Sequence, residues 1–127
     1  MTRVAFCLPT TTNQRDWQTI EETDLWKVLF TSLEKFTPAH EITLFIGYDT
    51  YDKVFWKEEE RMKAQAVFQN FKIKWFSFSG EYKGKPTSIW NDLAKFAIQD
   101  GFDYLKILGD DIRLPNDKDW LSCFINK

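Results

Sequence analysis

The chain has 127 residues, of which 43% are hydrophobic and 17% aromatic, and it carries 17 basic and 19 acidic residues. This length predicts one domain over residues 1–127 with a sizeable core, and the net charge of −2 argues against a nucleic-acid-binding surface. The amino terminus is not typical of a signal peptide and no apolar run is long enough to span a membrane, so a cytoplasmic location is expected.

The first half of the chain predicts strand, helix and strand. Residues 4–8 and 42–48 are short apolar runs typical of buried strands. Between them, apolar side chains recur at helical spacing over residues 24–36. Thr19 and Glu22, just upstream, are spaced to form a capping box.

A charged segment, residues 52–70, predicts the second helix. Glu59 and Lys63 stand at the spacing of a helical ion pair. Met62 and Ala66 share a predicted apolar stripe with residues upstream.

The second half repeats the alternation. Residues 73–79 and 104–108 predict the third and fourth strands, and the helical pattern between them ends at Gly101, a glycine typical of helix carboxyl ends. A last helix is predicted from about residue 117. Lys106, inside the fourth strand, is unusual for a central parallel strand and indicates either a partly open face or a buried acidic partner.

This alternation predicts an α/β fold, a Rossmann-like parallel β-sheet flanked by helices and joined by right-handed crossovers. Cys7 and Cys123 lie far apart in sequence and at no metal-ligand spacing. Buried free thiols in a reducing compartment are therefore expected rather than a disulfide.

Polar residues follow every predicted strand. Open parallel sheets bind ligands beyond the carboxyl ends of their strands, and all four ends share one edge of the sheet. The residues expected to meet there are Thr10, Thr11, Thr12 and Asn13 after the first strand, Asp49 after the second, Lys83 and Lys85 after the third, and Gly109, Asp110 and Asp111 after the fourth.

The two adjacent carboxylates of Asp110 and Asp111 repel each other unless something offsets their charge. A divalent cation does so, and hard oxygen ligands suit Mg²⁺ or Mn²⁺, which keeps coordination positions open for substrate phosphates. Taken alone, the pair is more simply interpreted as a solvated turn. The apolar strand before it and the other polar strand ends favour the metal.

Taken together, these motifs resemble the GT-A type nucleotide-sugar glycosyltransferases. The resemblance covers nearly the whole chain and is carried by the opening VAFCLPTTTNQRDW, by GYD after the second strand, and by KPTSIWNDLAKFAIQDGFDYLKILGDD. It implies a metal-dependent enzyme that transfers a sugar from a nucleoside diphosphate to an acceptor hydroxyl of a glycan or protein. The nucleotide, the sugar, the acceptor and the catalytic base are not assigned.

The resemblance also implies roles for individual residues. Thr10, with its neighbours Thr11 and Thr12, would line the nucleotide pocket, and Asp49 would bind the base or ribose. Lys85 and Asn91 would lie near ribose or phosphate. Asp111 would be the surest metal ligand, with Asp110 contacting the metal or the ribose.

The chain departs from the family pattern in two ways. Gly109 stands where the acidic motif usually has its first aspartate. Such domains also continue well beyond the acidic motif, so this chain is expected to lack the acceptor-binding carboxyl-terminal part. Asp117 and Asp119 are the only acids after the motif, and both are interpreted first as helix amino-terminal residues.

Two other functions stay open at this point. One is a non-catalytic module that binds a nucleotide or a protein partner. The other is a polymerase palm, in which Gly-Asp-Asp at a strand end binds metal. That interpretation needs a second acidic motif on an adjoining strand, for which Asp49 and Asp52 are the upstream candidates.

Overall fold

The computed structural model describes residues 3–12, 15–35, 41–79 and 86–110. Four strands form one sheet: β1 (Arg3–Thr10), β2 (Glu41–Asp49), β3 (Lys72–Phe78) and β4 (Tyr104–Ile107). Every adjacent pair is parallel and the strand order is β3-β2-β1-β4. The predicted α/β fold with a Rossmann-like parallel sheet is confirmed.

Some sequence predictions fall on residues outside these ranges. They are the roles of Lys85 and Asp111, the helix from about residue 117, and the state of Cys123.

The connection from β1 to β2 begins with the predicted capping box. Glu22 Oε1 accepts the Thr19 backbone N–H at 3.2 Å and so caps a short 3₁₀ turn, Ile20–Glu22. The chain then winds as a π-helix over Leu25–Phe30 and continues as α1 (Thr31–Glu34). The predicted helix is present, although the capping box belongs to the turn before it.

The remaining helices are α2 (Glu58–Val67) and α3 (Pro86–Gln99). Within the described ranges, no helix has the length and apolar character needed to cross a membrane.

The strands are apolar on both faces because helices cover both. Successive side chains of a strand point to opposite faces. Val4, Phe6 and Leu8 of β1 therefore join the core beneath the π-helix, α1 and α2. Ala5 and Cys7, between them, join a second core beneath α3.

Gly101 ends α3 as predicted. Its φ of +79° is the left-handed conformation that favours glycine. The Gly101 N–H bonds the Ile98 carbonyl at 3.0 Å and the Phe102 N–H bonds the Ala97 carbonyl at 3.2 Å. These two bonds form a Schellman motif, which satisfies the last carbonyls of the helix.

The predicted apolar stripe of α2 is wrong. Met62 is 64% exposed and Ala66 is also exposed, whereas Ala64 and Glu60 face the interior. Glu60 is buried because its Oε1 accepts the backbone N–H of Ile20 at 2.9 Å. The helix therefore docks through a polar contact to the preceding connection and turns its longer apolar side chains outward.

Lys106 lies on β4, the outermost strand on its side of the described sheet, and its side chain is exposed. Of the two explanations offered by the sequence, the partly open face is the one observed.

Candidate functional site

The strand order reverses between β1 and β4. The chain moves outward from β1 to β2 to β3 and then crosses back past β1 to place β4. In open α/β sheets this switch point leaves a crevice beyond the carboxyl ends of the two strands, and ligands bind there. Thr10 ends β1 and Asp110 follows β4, so both stand at this crevice.

Thr10 and Asp110 are joined by a hydrogen bond across the switch point. Thr10 Oγ1 donates to Asp110 Oδ2 at 2.9 Å, between residues 100 apart in sequence. The Thr10 side chain is only 6% exposed, and Asp110 is half-buried. The hydroxyl therefore orients the carboxylate at the point where β1 and β4 diverge.

The end of β4 is determined by Pro9 and Trp90. The Leu108 N–H bonds the Cys7 carbonyl at 3.0 Å, so the next bond of a parallel ladder would run from the N–H of residue 9 to the Leu108 carbonyl. Pro9 has no N–H to give. The indole Nε1 of Trp90, on α3, donates to the Leu108 carbonyl instead at 3.2 Å. The chain is thus free to leave the sheet immediately before Gly109 and Asp110.

On the other side of β1, Asp52 holds the chain that follows the strand. Asp52 comes from the turn after β2 and is 1% exposed. Its Oδ2 accepts the Thr12 backbone N–H and its Oδ1 accepts the Thr12 hydroxyl, both at 2.7 Å. The threonine segment, residues 10–12, is therefore held by carboxylates from both flanks, Asp110 at one end and Asp52 at the other.

A second set of contacts joins the same two connections. The Lys53 ammonium donates to the Arg15 carbonyl. The Arg15 guanidinium lies 5.2 Å from the centre of the Trp17 ring, within cation–π range. The carboxyl edge of the sheet beside the threonine segment is therefore lined by two cationic side chains and a half-buried tryptophan.

Asp49 forms the first turn after β2. Its Oδ1 accepts the Tyr51 N–H at 2.9 Å, and its carbonyl accepts the Asp52 N–H at 2.9 Å. This is the turn conformation that aspartate commonly stabilises. Asp49 thus supports the turn that carries Asp52 and remains half-buried at the site edge.

The other predicted site residues take distinct positions. Thr12 is buried with its hydroxyl donated to Asp52, whereas Thr11 is exposed. Asn91 is exposed on α3, one residue after Trp90. The structure thus brings Thr10 and Asp110 into contact, links Thr12 to the turn that begins at Asp49, and leaves Thr11 and Asn91 at the surface.

The donor chemistry at the switch point is oxygen only. A carboxylate and a hydroxyl are ligands that Mg²⁺ and Mn²⁺ accept, and such ions are commonly held by one or two carboxylates together with substrate phosphates. Within residues 3–12, 15–35, 41–79 and 86–110, no three His, Cys, Asp or Glu side chains cluster as a closed metal site. A cation here would therefore share Asp110 with a ligand's phosphates.

Cys7 takes no part in this chemistry. It is a free cysteine, as predicted, and its burial raises the pKa of the thiol to about 11. The thiol therefore stays neutral at ordinary pH and packs as a small apolar side chain.

Asp52 and Trp90 are the two residues of this site whose roles sequence reasoning missed. Asp52 precedes Val54 and Phe55, whose backbone N–H groups bond back to it at 3.0 Å each, a local pattern typical of aspartate at the start of a helical turn. That signal was readable in the sequence, whereas the partnership of Trp90 with Leu108 has none, because it depends on how α3 crosses the sheet.

Comparison with known proteins adds no family. No protein-family model matches the chain, and neither the search of curated proteins nor the search of solved structures found a significant match.

Proposed function

We propose that the chain binds a nucleoside diphosphate sugar at the crevice between β1 and β4 and serves as the donor-binding domain of a metal-dependent glycosyltransferase. The observation that carries this proposal is the hydrogen bond from Thr10 to Asp110, because it sets a hydroxyl-bearing segment and a carboxylate together where the strand order reverses.

The ligand would lie along the carboxyl edge of the sheet. The threonine segment would face the nucleotide, and Asp49 would approach the base or ribose from the turn after β2. Lys85 and Asn91 would stand near ribose or phosphate. Asp110 and Asp111 would hold Mg²⁺ or Mn²⁺, with the remaining coordination completed by the diphosphate and water.

The chain's own residues contribute orientation. Thr10 holds the Asp110 carboxylate in one direction, and Trp90 holds the backbone that leads into it. Such preorganised groups need little rearrangement when charge develops on a leaving diphosphate. A bound divalent cation would supply the charge that stabilises that leaving group during transfer to an acceptor hydroxyl.

The polymerase palm loses support from the sheet. That function needs a second acidic motif on the strand beside the Gly-Asp-Asp strand. The neighbour of β4 is β1, Arg3–Thr10, which contains no acidic residue. Asp52, one of the two upstream candidates, is buried and accepts four hydrogen bonds from Thr12, Val54 and Phe55.

The first prediction concerns metal-dependent ligand binding. We expect UDP-, GDP- or dTDP-sugars, tested in turn with and without Mn²⁺, to raise the Tm of the wild-type chain only when metal is present. A hundredfold excess of ligand over Kd stabilises a protein by about 2.7 kcal/mol. Asp110→Asn and Asp111→Ala should abolish the Mn²⁺-dependent part of the shift, because each removes a negative oxygen ligand.

Asp100→Asn is the matched control. Asp100 pairs with Lys74 at 2.7 Å beside Arg3, at the opposite edge of the sheet, so its loss should leave the ligand-induced shift intact. A shift that persists in Asp110→Asn, or that never depends on metal, would contradict the proposal. Binding without release of nucleoside diphosphate in the presence of acceptor sugars would instead favour the non-catalytic module.

A further inference from the structure

The buried carboxylate of Asp52 is the most heavily hydrogen-bonded side chain near the proposed site. Asp52 Oδ2 accepts the Thr12 N–H at 2.7 Å. Its Oδ1 accepts the Thr12 hydroxyl at 2.7 Å and the N–H groups of Val54 and Phe55 at 3.0 Å each. With 1% of the residue exposed, these protein donors replace water as partners of the carboxylate.

These four bonds come from two different connections. Val54 and Phe55 belong to the turn after β2, whereas Thr12 belongs to the segment after β1, 40 residues earlier. An ionised carboxylate only accepts hydrogen bonds, so all four donors are matched to it. Removing its charge would leave buried donors poorly paired, and Thr12 would lose its fixed position.

We infer that Asp52 is a positioning residue for the proposed nucleotide site, an inference that rests on the proposed function. Its carboxylate holds Thr12 inward and thereby sets the shape of the threonine segment before any ligand arrives. Thr12 then acts as an internal strut, and the ligand meets the segment through Thr10, Thr11 and backbone groups. Affinity depends on Asp52 because an ordered segment loses less conformational freedom on binding.

The test measures nucleotide affinity by isothermal titration calorimetry, with UDP, GDP and dTDP each titrated in the presence of Mn²⁺. Asp52→Asn keeps the shape of the side chain. Its amide oxygen can serve the donors at Oδ1, but its NH₂ group then faces the Thr12 N–H, donor against donor. We expect the affinity for the best nucleotide to fall by about tenfold or more.

A pair of substitutions at Thr12 guards against a misfolded Asp52 variant. Thr12→Val keeps the volume and the backbone N–H but removes the hydroxyl bond to Asp52, whereas Thr12→Ser keeps that hydroxyl. We expect the valine variant to bind several-fold more weakly and the serine variant to bind within about twofold of wild type. Amide hydrogen exchange at residue 12 should quicken in the valine variant and not in the serine variant.

Phe71→Leu separates positioning from general stability. Phe71 is buried just before β3, at the opposite edge of the sheet. This variant should lower the Tm and leave nucleotide affinity unchanged. Wild-type affinity in both Asp52→Asn and Thr12→Val would overturn the inference while the proposed function stands. A wild-type chain that binds no nucleotide would overturn the proposed function and this inference with it.

Discussion

Gly47 is the point where β2 and α3 approach each other most closely. A Cβ atom built at this position would lie 2.7 Å from Ile89 Cγ2 and 2.7 Å from Phe78 Cε2. The glycine therefore makes room for an isoleucine of α3 against the sheet. Gly101 differs, because a Cβ there would meet its nearest neighbour, Arg3 Nη1, only at 3.8 Å, and its requirement is the backbone conformation.

The second prediction follows from this contact. We expect Gly47→Ala to lower the free energy of unfolding by about 1–3 kcal/mol, because the added methyl group overpacks a filled interface. Urea unfolding followed by fluorescence measures the change. Ser77→Ala, at an exposed position of neighbouring β3, should stay within about 0.5 kcal/mol of wild type. Equal stability of the Gly47 variant and wild type would show that α3 can move away from the sheet.

Among the helices, α2 is tied to the connection after β1 by a small ionic cluster. Lys63 Nζ lies 2.9 Å from Glu60 Oε2 and 3.0 Å from Glu21 Oε1. Glu60 also accepts the Ile20 N–H. Burial opposes ionisation of Glu60, but the hydrogen bond from Ile20 and the Lys63 ammonium outweigh it, and the pKa of Glu60 lies below its ordinary value of 4.5.

The third prediction concerns acid stability. A carboxyl whose pKa is lowered by folding stabilises the native state above its unfolded pKa, and this contribution is lost as the pH falls through the lower native pKa. We expect wild-type stability to decline as the pH falls below about 4.5, and Glu60→Gln to decline less steeply, because the glutamine side chain does not titrate. Urea unfolding at a series of pH values between neutrality and about pH 3 measures both slopes.

Glu59→Gln is the matched control for this prediction. Glu59 is the exposed neighbour of Glu60 on α2, so its variant should follow the wild-type pH dependence. If Glu60→Gln followed the wild-type curve as well, another carboxyl would be responsible for the acid transition.

The elements show why local sequence patterns go only part of the way. The four strands were predicted within two residues because apolar runs and their bounding turns are local signals. The face of α2 was not, because Met62 and Ala66 fit a helical stripe, yet the docking direction follows Glu60 and its long-range contact to Ile20. Lys63 likewise pairs with Glu60 and Glu21, where spacing predicted Glu59.

At the scale of the whole molecule, the sheet is graded from centre to edge. Strands β1 and β2 lie in the middle and most of their side chains are buried. Strand β4 lies outside them and is largely exposed, with Ile107 51% exposed. Backbone hydrogen bonds that are covered on both sides open more rarely than those near solvent.

The fourth prediction is the order in which backbone amides exchange with deuterium. We expect peptides covering β1 and β2 to exchange last, near the rate of global unfolding, and peptides covering β4 to exchange earlier. Mass spectrometry of a peptic digest measures this order. Protection of β4 equal to that of β1 would show that the sheet opens as one unit.

The site combines predictable and unpredictable parts for the same reason. The meeting of Thr10 with Asp110 was expected from the sequence, since parallel strands bring their carboxyl ends to one edge. The inward turn of Thr12 was not, because it depends on a buried partner in another connection. The nucleotide-binding roles of these residues remain predictions, to be tested by the binding experiments above.

The exchange of a backbone donor for an indole at Leu108 has a mechanical consequence. Since Trp90 rather than Pro9 occupies that carbonyl, the ladder to β1 stops one step short of the acidic turn. Gly109 and Asp110 can consequently shift toward an incoming ion by exchanging side-chain contacts, with every rung of the sheet intact. Compliance at the tip is thus separated from rigidity in the scaffold.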